Sequence, residues 1–268
     1  KIGVPIPSTL DELVEAGKKF SEYENGSYYP LVILENEKIY MMMYFLECKY
    51  GKPWVDDMEL QYSREELIDG FEFMKMLEDN HVLPSSEKMA GDGADLIDTN
   101  QNWIDGHYAG IYMWDSNLQK HQEALEDGEC IIGPMLEMGD YHGGLLKISQ
   151  CLAIPATTKH PKEAAMLIEY LFGSEEGARF LGDSRGVPCN AKGLAALDLS
   201  DSLAAKANEH VMDWGGYMMD IVFSNSVLSS DDGIFLLTIQ SQSYGQMSAE
   251  QCADMVIDGV NQAIESLK

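Results

Sequence analysis

The chain has 268 residues, 45% of them hydrophobic and 24% charged, an ordinary balance for a globular protein with a sizeable core. Its formal net charge of −27 at pH 7 is unusual, and a surface this acidic repels phosphate backbones. We therefore expect no nucleic-acid partner. The acidity suits an uncharged or cationic ligand, although a solvated acidic face without any partner is the plainer explanation.

The five cysteines show neither C-x-x-C spacing nor a metal-binding pattern, and their odd number argues against a complete disulfide framework. We expect most of them to be small buried hydrophobic residues, and we expect neither a cofactor nor a metal site. No apolar run approaches the roughly 20 residues that a membrane-spanning helix needs, so we expect no membrane span.

The first part of the chain predicts a helix, a strand and a second helix. Thr9 and Glu12 have the spacing of a capping box, and apolar residues follow at helical intervals. The β-branched and aromatic stretch 28–34 predicts a strand whose ladder is limited by Pro30. Residues 39–50 are apolar on nearly all sides, which predicts a short buried helix.

The middle of the chain continues this alternation. Ser63 and Glu66 have the spacing of a second capping box, and the helix predicted there runs to about residue 80. Residues 83–102 are polar and glycine-rich and predict a loop with at most one short helix. The apolar stretches 108–114 and 129–135 predict two further strands.

The stretch 143–190 carries an ordered series of signals. A glycine pair leads into an apolar, strand-like segment at 145–155, and Pro161 fits the first position of a helix. Ser174 fits the cap of a second helix, which Gly182 and Gly186 are expected to end. Apolar residues at helical spacing predict one buried face on the first of these helices: Ala164, Ala165, Leu167, Ile168, Leu171 and Phe172.

The C-terminal part is predicted to be mainly helical. Residues 192–214 have a helical pattern with an interruption near Asp198 or Ser200, and a turn at 229–233 precedes a helix at 234–244. A third capping box, from Ser248, opens the last helix. Because strands alternate with helices along the chain, we expect an α/β architecture.

The order of signals in 143–190 resembles the segment that crosses between lobes in extracellular solute-binding proteins of ABC importers, the maltose-binding-protein-like family. There a glycine-rich approach and a strand precede two helices and a G-x-x-P pattern, and this chain carries these parts in order. The stretch Pro7-Ser8-Thr9-Leu10-Asp11-Glu12-Leu13 also resembles the phrase P-x-T-x-D/E-E-L, which opens the second lobe in that family. The resemblance covers the chain from end to end.

The resemblance implies an α/β fold of the periplasmic-binding-protein-like class II, with two lobes of which the first is incomplete. On this basis, residues 1–147 and 213–268 are expected to form the second, C-terminal lobe. Residues 148–212 are expected to form the later portion of the first, N-terminal lobe. It also implies that about the first third of a full-length relative precedes Lys1.

No catalytic motif stands out in the sequence. It contains no G-x-S-x-G, H-E-x-x-H, P-loop or G-x-G-x-x-G pattern, and its six histidines are scattered without ligand spacing. Acidic residues are so abundant that any pair of them resembles a glycosidase acid and nucleophile, so abundance alone supports no such site. We predict a binding protein, with a secreted carbohydrate-active enzyme as the alternative from another class.

Aromatic residues beside short polar side chains are the best candidates for a sugar site, because sugars stack on aromatic faces. Trp114, Asp115 and Asn117 come directly after a predicted strand, and the resemblance implies that this stretch reaches the cleft. Trp114 lies a residue or two earlier than in the family pattern. Tyr40 lies where the relatives place a stacking aromatic residue. The structural alternatives are a Trp114 that closes a lobe core and a Tyr40 inside a buried helix.

Two further loops complete the predicted site. Gly143 and Gly144 permit close backbone approach to a ligand, with a hinge turn as the alternative. Asp231 and Asp232 occupy the loop where the relatives present another cleft residue, with a plain helix cap as the alternative.

The resemblance implies a non-catalytic receptor that captures a sugar or oligosaccharide by closure of two lobes about a hinge. The closed form then docks on the membrane permease of an ABC importer. Such receptors are extracellular, either periplasmic or anchored at the cell surface as lipoproteins. With the same fold, the alternative ligands are a polyamine, an anion or a metal ion.

Overall fold

The structure, a computed structural model, describes residues 2–93, 96–147, 151–182 and 187–268. Helices dominate these ranges. They are α1 Leu10–Glu22, α2 Lys38–Tyr50, α3 Arg64–Asp79, α4 Ser86–Asp92, α5 Gln101–Ile104, α6 Leu118–Ala124, α7 Pro161–Gly173, α8 Glu175–Leu181, α9 Ala191–Ala195, α10 Leu203–Trp214, α11 Ser226–Ser229, α12 Ile234–Ser243 and α13 Ala249–Leu267.

Regular strands are short and form two separate pairs. β1 Val55–Asp56 pairs antiparallel with β2 Glu59–Leu60. β3 Leu145–Leu146 pairs parallel with β4 Tyr217–Met218, with Leu145 opposite Tyr217. The second pair joins segments that are distant in sequence, so it ties the middle of the chain to its C-terminal part.

The predicted helix starts at Thr9, Ser63 and Ser248 are confirmed. The Thr9 hydroxyl accepts the Glu12 N–H at 3.3 Å at the start of α1. Ser63 and Ser248 each form a complete capping box, at the start of α3 and of α13. These caps satisfy backbone donors that have no partner within the helix, which is why the local sequence predicts them well.

The predicted buried helix at 39–50 is also confirmed, as α2. Nearly every residue of α2 from Lys38 to Cys48 is buried, and Gly51 ends the helix in the left-handed conformation with φ 65°. α3 packs against both α2 and α13, and α12 packs against α13. These four helices hold the main hydrophobic core.

The ammonium of Lys38, the first residue of α2, is a cation buried in this core. Lys38 is fully buried, and its ammonium pairs with Glu35 at 2.7 Å and with Glu78 at 3.0 Å. It also donates to the carbonyl of Pro84 at 3.2 Å. A buried ammonium needs such partners, and here they tie the start of α2 to the end of α3.

The main core draws its buried residues from two separate parts of the sequence. They lie between Leu13 and Met138 and between Val222 and Ile264. Of the described residues between 151 and 212, none belongs to this core. The division into lobes at 147 and 213 stays a prediction, and residues 148–150 lie outside the described residues.

The predicted strands at 28–34 and 108–114 are only partly formed. The two stretches run parallel and meet at two isolated bridges, Tyr29 with Tyr108 and Val32 with Ile111. Pro30 lies between these bridges and has no N–H to donate, so the ladder is interrupted as the sequence predicted.

The other two predicted strands are largely wrong. No strand forms at 129–135, where the Cys130 N–H donates to the side chain of Gln122 at 2.5 Å instead of to a neighbouring strand. Among the described residues of the stretch 145–155, which leave out 148–150, only β3 is a strand, and residues 151–155 have no regular structure. An apolar run without alternation does not distinguish a strand from an irregular segment that lines a cavity.

The predicted buried face of α7 is wrong in this structure. α7 begins at Pro161 as predicted, but none of its residues is buried. It packs on α8 and α9, and Met166, Leu167 and Tyr170 remain exposed. Helical periodicity identifies an apolar face, but it does not supply the element that covers it. α8 ends before Gly182 as predicted, whereas Gly186 lies outside the described residues.

Among the described helices, none is both long enough and apolar enough to cross a membrane.

Candidate functional site

The described residues form a cavity of about 990 Å³. A volume of this size accommodates a small-molecule ligand. Its lining comes from stretches that are far apart in sequence: 4–7, 108–116, 127–136, 144–147 and 187–189, together with residues of α1, α2 and α10. The site therefore depends on tertiary packing.

Tyr40 and Trp114 form an aromatic corner in the cavity wall. Tyr40 is in the first turn of α2, and Trp114 precedes a short 3₁₀ helix, Asp115–Asn117. Their ring centroids lie 5.4 Å apart and the ring planes meet at 66°, an edge-to-face arrangement. Both residues line the cavity and are partly exposed, so the structure brings these two predicted site residues together in the cavity wall.

Lys147 lies on the face of Trp114. Its Nζ is 4.1 Å from the centroid of the Trp114 ring, which is a cation–π contact. Lys147 follows β3 directly and is exposed to the cavity. Within the described part of the chain it forms no ion pair.

Asp115 connects the aromatic corner to α10. Asn208 of α10 donates to Asp115 Oδ2 at 2.8 Å, and both residues line the cavity with Ser116. The predicted site residue Asn117 is exposed and lies outside this lining. Asp115, Ser116 and Asn208 therefore supply the hydrogen-bonding groups beside Trp114.

Gly143 and Gly144 are buried between α2 and β4, and the two residues serve different purposes. Gly144 lines the cavity with φ 130°, a conformation that suits glycine, and its N–H donates to Glu47 Oε2 at 2.8 Å. A Cβ on Gly143 would lie 2.7 Å from the Tyr44 carbonyl oxygen. Gly143 thus permits close approach to α2, while Gly144 also faces the cavity.

The glycine pair is held from its other side by Trp214. The indole Nε1 of Trp214 donates to the Gly143 carbonyl at 2.7 Å. His142 stacks on Trp214 with ring centroids 4.0 Å apart and donates from Nδ1 to its carbonyl at 3.1 Å. These contacts fix the glycine pair where the predicted hinge crosses between chain segments.

Asp231 and Asp232 lie elsewhere. Both are exposed in the turn between α11 and α12, and Asp232 accepts a hydrogen bond from the Ser230 hydroxyl at 2.8 Å. Neither residue lines the cavity of Tyr40 and Trp114. Their role as ligand contacts stays a prediction that this cavity does not support.

Burial shifts two pKa values near Lys147. Burial raises the pKa of the Glu37 carboxyl, and the positive charge of Lys147 opposes this shift. Burial and the charge of Glu37 raise the pKa of the Tyr40 phenol. Tyr40 therefore keeps its hydroxyl hydrogen at neutral pH and is available as a hydrogen-bond donor.

The charged groups that line the cavity are mostly acidic. Lys147 is the one basic side chain among the described lining residues, which also include four carboxylates: Glu37, Asp115, Asp127 and Glu129. Within the described ranges, no group of three or more His, Cys, Asp or Glu side chains is arranged to hold a metal ion.

Sequence reasoning missed Lys147, Glu37 and Asn208. Glu37 lies three residues before Tyr40, so helical spacing placed it on the same side of α2. Lys147 lies three residues after Gly144 in the sequence, so its closeness to the predicted glycine pair could have identified it. Asn208 is brought to the site only by the packing of α10 against the 3₁₀ helix that follows Trp114.

Comparison with protein families matches residues 4–210 to the family described as bacterial extracellular solute-binding protein. Among solved structures, the chain is similar to a periplasmic oligogalacturonide binding protein from Yersinia enterocolitica in complex with saturated digalacturonic acid. The identity is 29% and the TM-score 0.89, over 99% of this chain and 68% of that chain. No significant match was found among proteins with curated descriptions.

Two other solved structures show how widely the fold is used. A de novo designed cysteine esterase is 29% identical with a TM-score of 0.82, over 100% of this chain and 68% of that chain. The maltose/maltodextrin-binding domain from Bdellovibrio bacteriovorus is 19% identical with a TM-score of 0.68, over 97% of this chain and 67% of that chain, which supports the fold alone.

These similarities confirm the periplasmic-binding-protein-like α/β fold that the sequence predicted. The family match extends from the N-terminal stretch that lines the cavity to α10, and so includes the aromatic corner and the glycine pair. The chain belongs to the bacterial extracellular solute-binding protein family.

Proposed function

We propose that this solute-binding protein captures a sugar or oligosaccharide for an ABC importer. The observation that carries the proposal is the aromatic corner of Tyr40 and Trp114 in the wall of a cavity of about 990 Å³. Aromatic faces stack on the C–H faces of sugar rings, and Asp115, Ser116 and Asn208 offer hydrogen bonds to hydroxyl groups. The ligand of the 29% identical Yersinia protein supports a carbohydrate as the ligand class.

Capture proceeds by closure of two lobes about the glycine pair. The cavity is lined by residues of both predicted lobes, with α10 on one side and α2 on the other. A ligand that contacts both walls favours the closed form only by its higher affinity for that form. The closed receptor then docks on the membrane permease. It acts outside the cytoplasm, either in the periplasm or as a lipoprotein at the cell surface.

Titration calorimetry of the intact protein with a panel of mono- and oligosaccharides tests this proposal. We expect Trp114→Ala to weaken binding by roughly tenfold or more, because it removes the stacking face. Trp114→Phe is the matched control, since it keeps an aromatic face and should retain most of the affinity. Equal affinity of the wild type and the alanine variant would exclude Trp114 from the site.

Closure and turnover need separate measurements. We expect saturating ligand to reduce the radius of gyration in small-angle X-ray scattering, and unchanged scattering would contradict hinged closure. Release of new reducing ends from oligosaccharides would show hydrolysis, and the receptor function would then be replaced by that of a carbohydrate-active enzyme.

A further inference from the structure

Among the described residues that line the cavity, Lys147 carries the one positive charge, and it forms no ion pair with a described carboxylate. Ion pairs engage Lys38, Lys49 and Lys52 in the core and on the surface, whereas Lys147 pairs with no carboxylate of the described chain. Four carboxylates line the same cavity, yet none of them lies within ion-pair distance of Lys147. In a chain with a net charge of −27, a lysine at the binding cavity that remains unpaired is available to a ligand.

The position of this charge is specific. The Lys147 ammonium lies 4.1 Å from the Trp114 ring centroid, over one face of the indole. A sugar ring and the ammonium cannot occupy that face together, so a sugar that stacks there must move Lys147. Its flexible four-carbon stem allows the ammonium to swing to the edge of the indole, where it would border a stacked sugar.

We propose that Lys147 determines the ligand class: it binds the carboxylate of a sugar acid whose ring stacks on Trp114. This inference rests on the proposed function, because it assumes that the aromatic corner is a sugar site. It deepens that function by naming an acidic sugar and the residue that selects it.

A carboxylate suits this position better than a neutral sugar does. A neutral ring that takes the indole face displaces the ammonium from a favourable cation–π contact and offers only hydroxyl groups in exchange. A sugar acid replaces that contact with a charge-assisted hydrogen bond between the ammonium and its carboxylate. The four carboxylates of the lining disfavour an acid group elsewhere in the cavity, which orients the acidic end of the ligand toward Lys147.

Titration calorimetry with a matched ligand pair tests the inference. The pair is digalacturonate and the neutral galactose disaccharide of the same linkage, which differ in having carboxylates or hydroxymethyl groups. We expect the intact wild-type protein to prefer the acid by roughly tenfold or more, the range of a charge-assisted hydrogen bond. The preference should fall as salt concentration rises.

Lys147→Gln and Lys206→Gln separate the local effect from the loss of one positive charge. Lys206 is exposed on α10 and lies outside the cavity lining. We expect Lys147→Gln to abolish the preference for the acid and to leave binding of the neutral disaccharide within a fewfold. Lys206→Gln should keep the preference, and Lys147→Arg should restore most of it.

Several outcomes overturn the inference, and they can be told apart. Equal or tighter binding of the neutral disaccharide by the wild type refutes the acidic ligand but leaves the sugar-binding function standing. If Lys147→Gln weakens the affinity for both disaccharides equally, the lysine only supports Trp114. If it raises the affinity for both, the lysine only covers the indole face. If neither disaccharide nor any other sugar binds, the proposed function and the inference both fail.

Discussion

Glu47 offers the sharpest test of how the glycine pair is held against α2. Its carboxyl is buried in α2 with 1% of the residue exposed, and Oε2 accepts the N–H of Gly144 at 2.8 Å. Burial raises the pKa of this carboxyl from 4.5 to about 8, and the hydrogen bond from Gly144 opposes the shift only in part. The proton is therefore held more tightly in the folded protein than in the unfolded chain.

The sign of the pH dependence follows directly. Below pH 4.5 the carboxyl is protonated in both states, so it imposes no cost on folding. Between pH 4.5 and about 8 the unfolded chain releases the proton and the folded protein retains it. The free energy of unfolding therefore falls by about 1.4 kcal/mol for each pH unit in this window, or about 5 kcal/mol in all.

Glu47→Gln removes this dependence while keeping an amide oxygen that accepts from Gly144. We expect the stability of Glu47→Gln relative to the wild type to rise by about 4 kcal/mol between pH 5 and pH 8, measured by urea unfolding. Glu65→Gln, at an exposed position of α3, is the control and should show little change. A difference between Glu47→Gln and wild type that is constant across this range would refute an ionisable group held neutral by burial.

Two further predictions concern packing and a buried charge. In thermal melts, Gly143→Ala should lower the free energy of unfolding by about 2 kcal/mol, because its Cβ would lie 2.7 Å from the Tyr44 carbonyl oxygen. Gly133→Ala is the control: the nearest neighbour of its Cβ is 3.8 Å away, so its free energy of unfolding should be nearly unchanged. Lys38→Met should lower the free energy of unfolding by about 3 kcal/mol, because it leaves Glu35 and Glu78 without their buried cation. An unchanged midpoint of urea unfolding would show that these ion pairs contribute nothing to stability.

Part of the candidate site was already indicated by aromatic residues at positions where the family resemblance implies contact with the cleft. Tyr40 and Trp114 were predicted as stacking residues, and the structure places their rings 5.4 Å apart although they are distant in sequence. Asp231 and Asp232 were predicted by analogy of position, and their exposed turn does not reach the same cavity. The overall acidity suggested an uncharged or cationic ligand, whereas the local unpaired charge of Lys147 favours an anionic one. Net charge averages over the whole surface, while a ligand responds to the few groups within hydrogen-bond reach.

The sequence by itself determined the helices with clear local signals, α1, α2, α3 and α13, but not α4 and α5, which begin in the stretch 83–102 predicted as mainly loop. Capping boxes at Ser63 and Ser248 and the apolar run of α2 act within a few residues, so they can be recognised without knowledge of the fold. Only the tertiary structure decided the contacts between distant segments. It left one face of α7 exposed and brought Lys147 onto Trp114. These outcomes depend on which surfaces come into contact, and a local residue pattern does not identify the distant segment that packs against it.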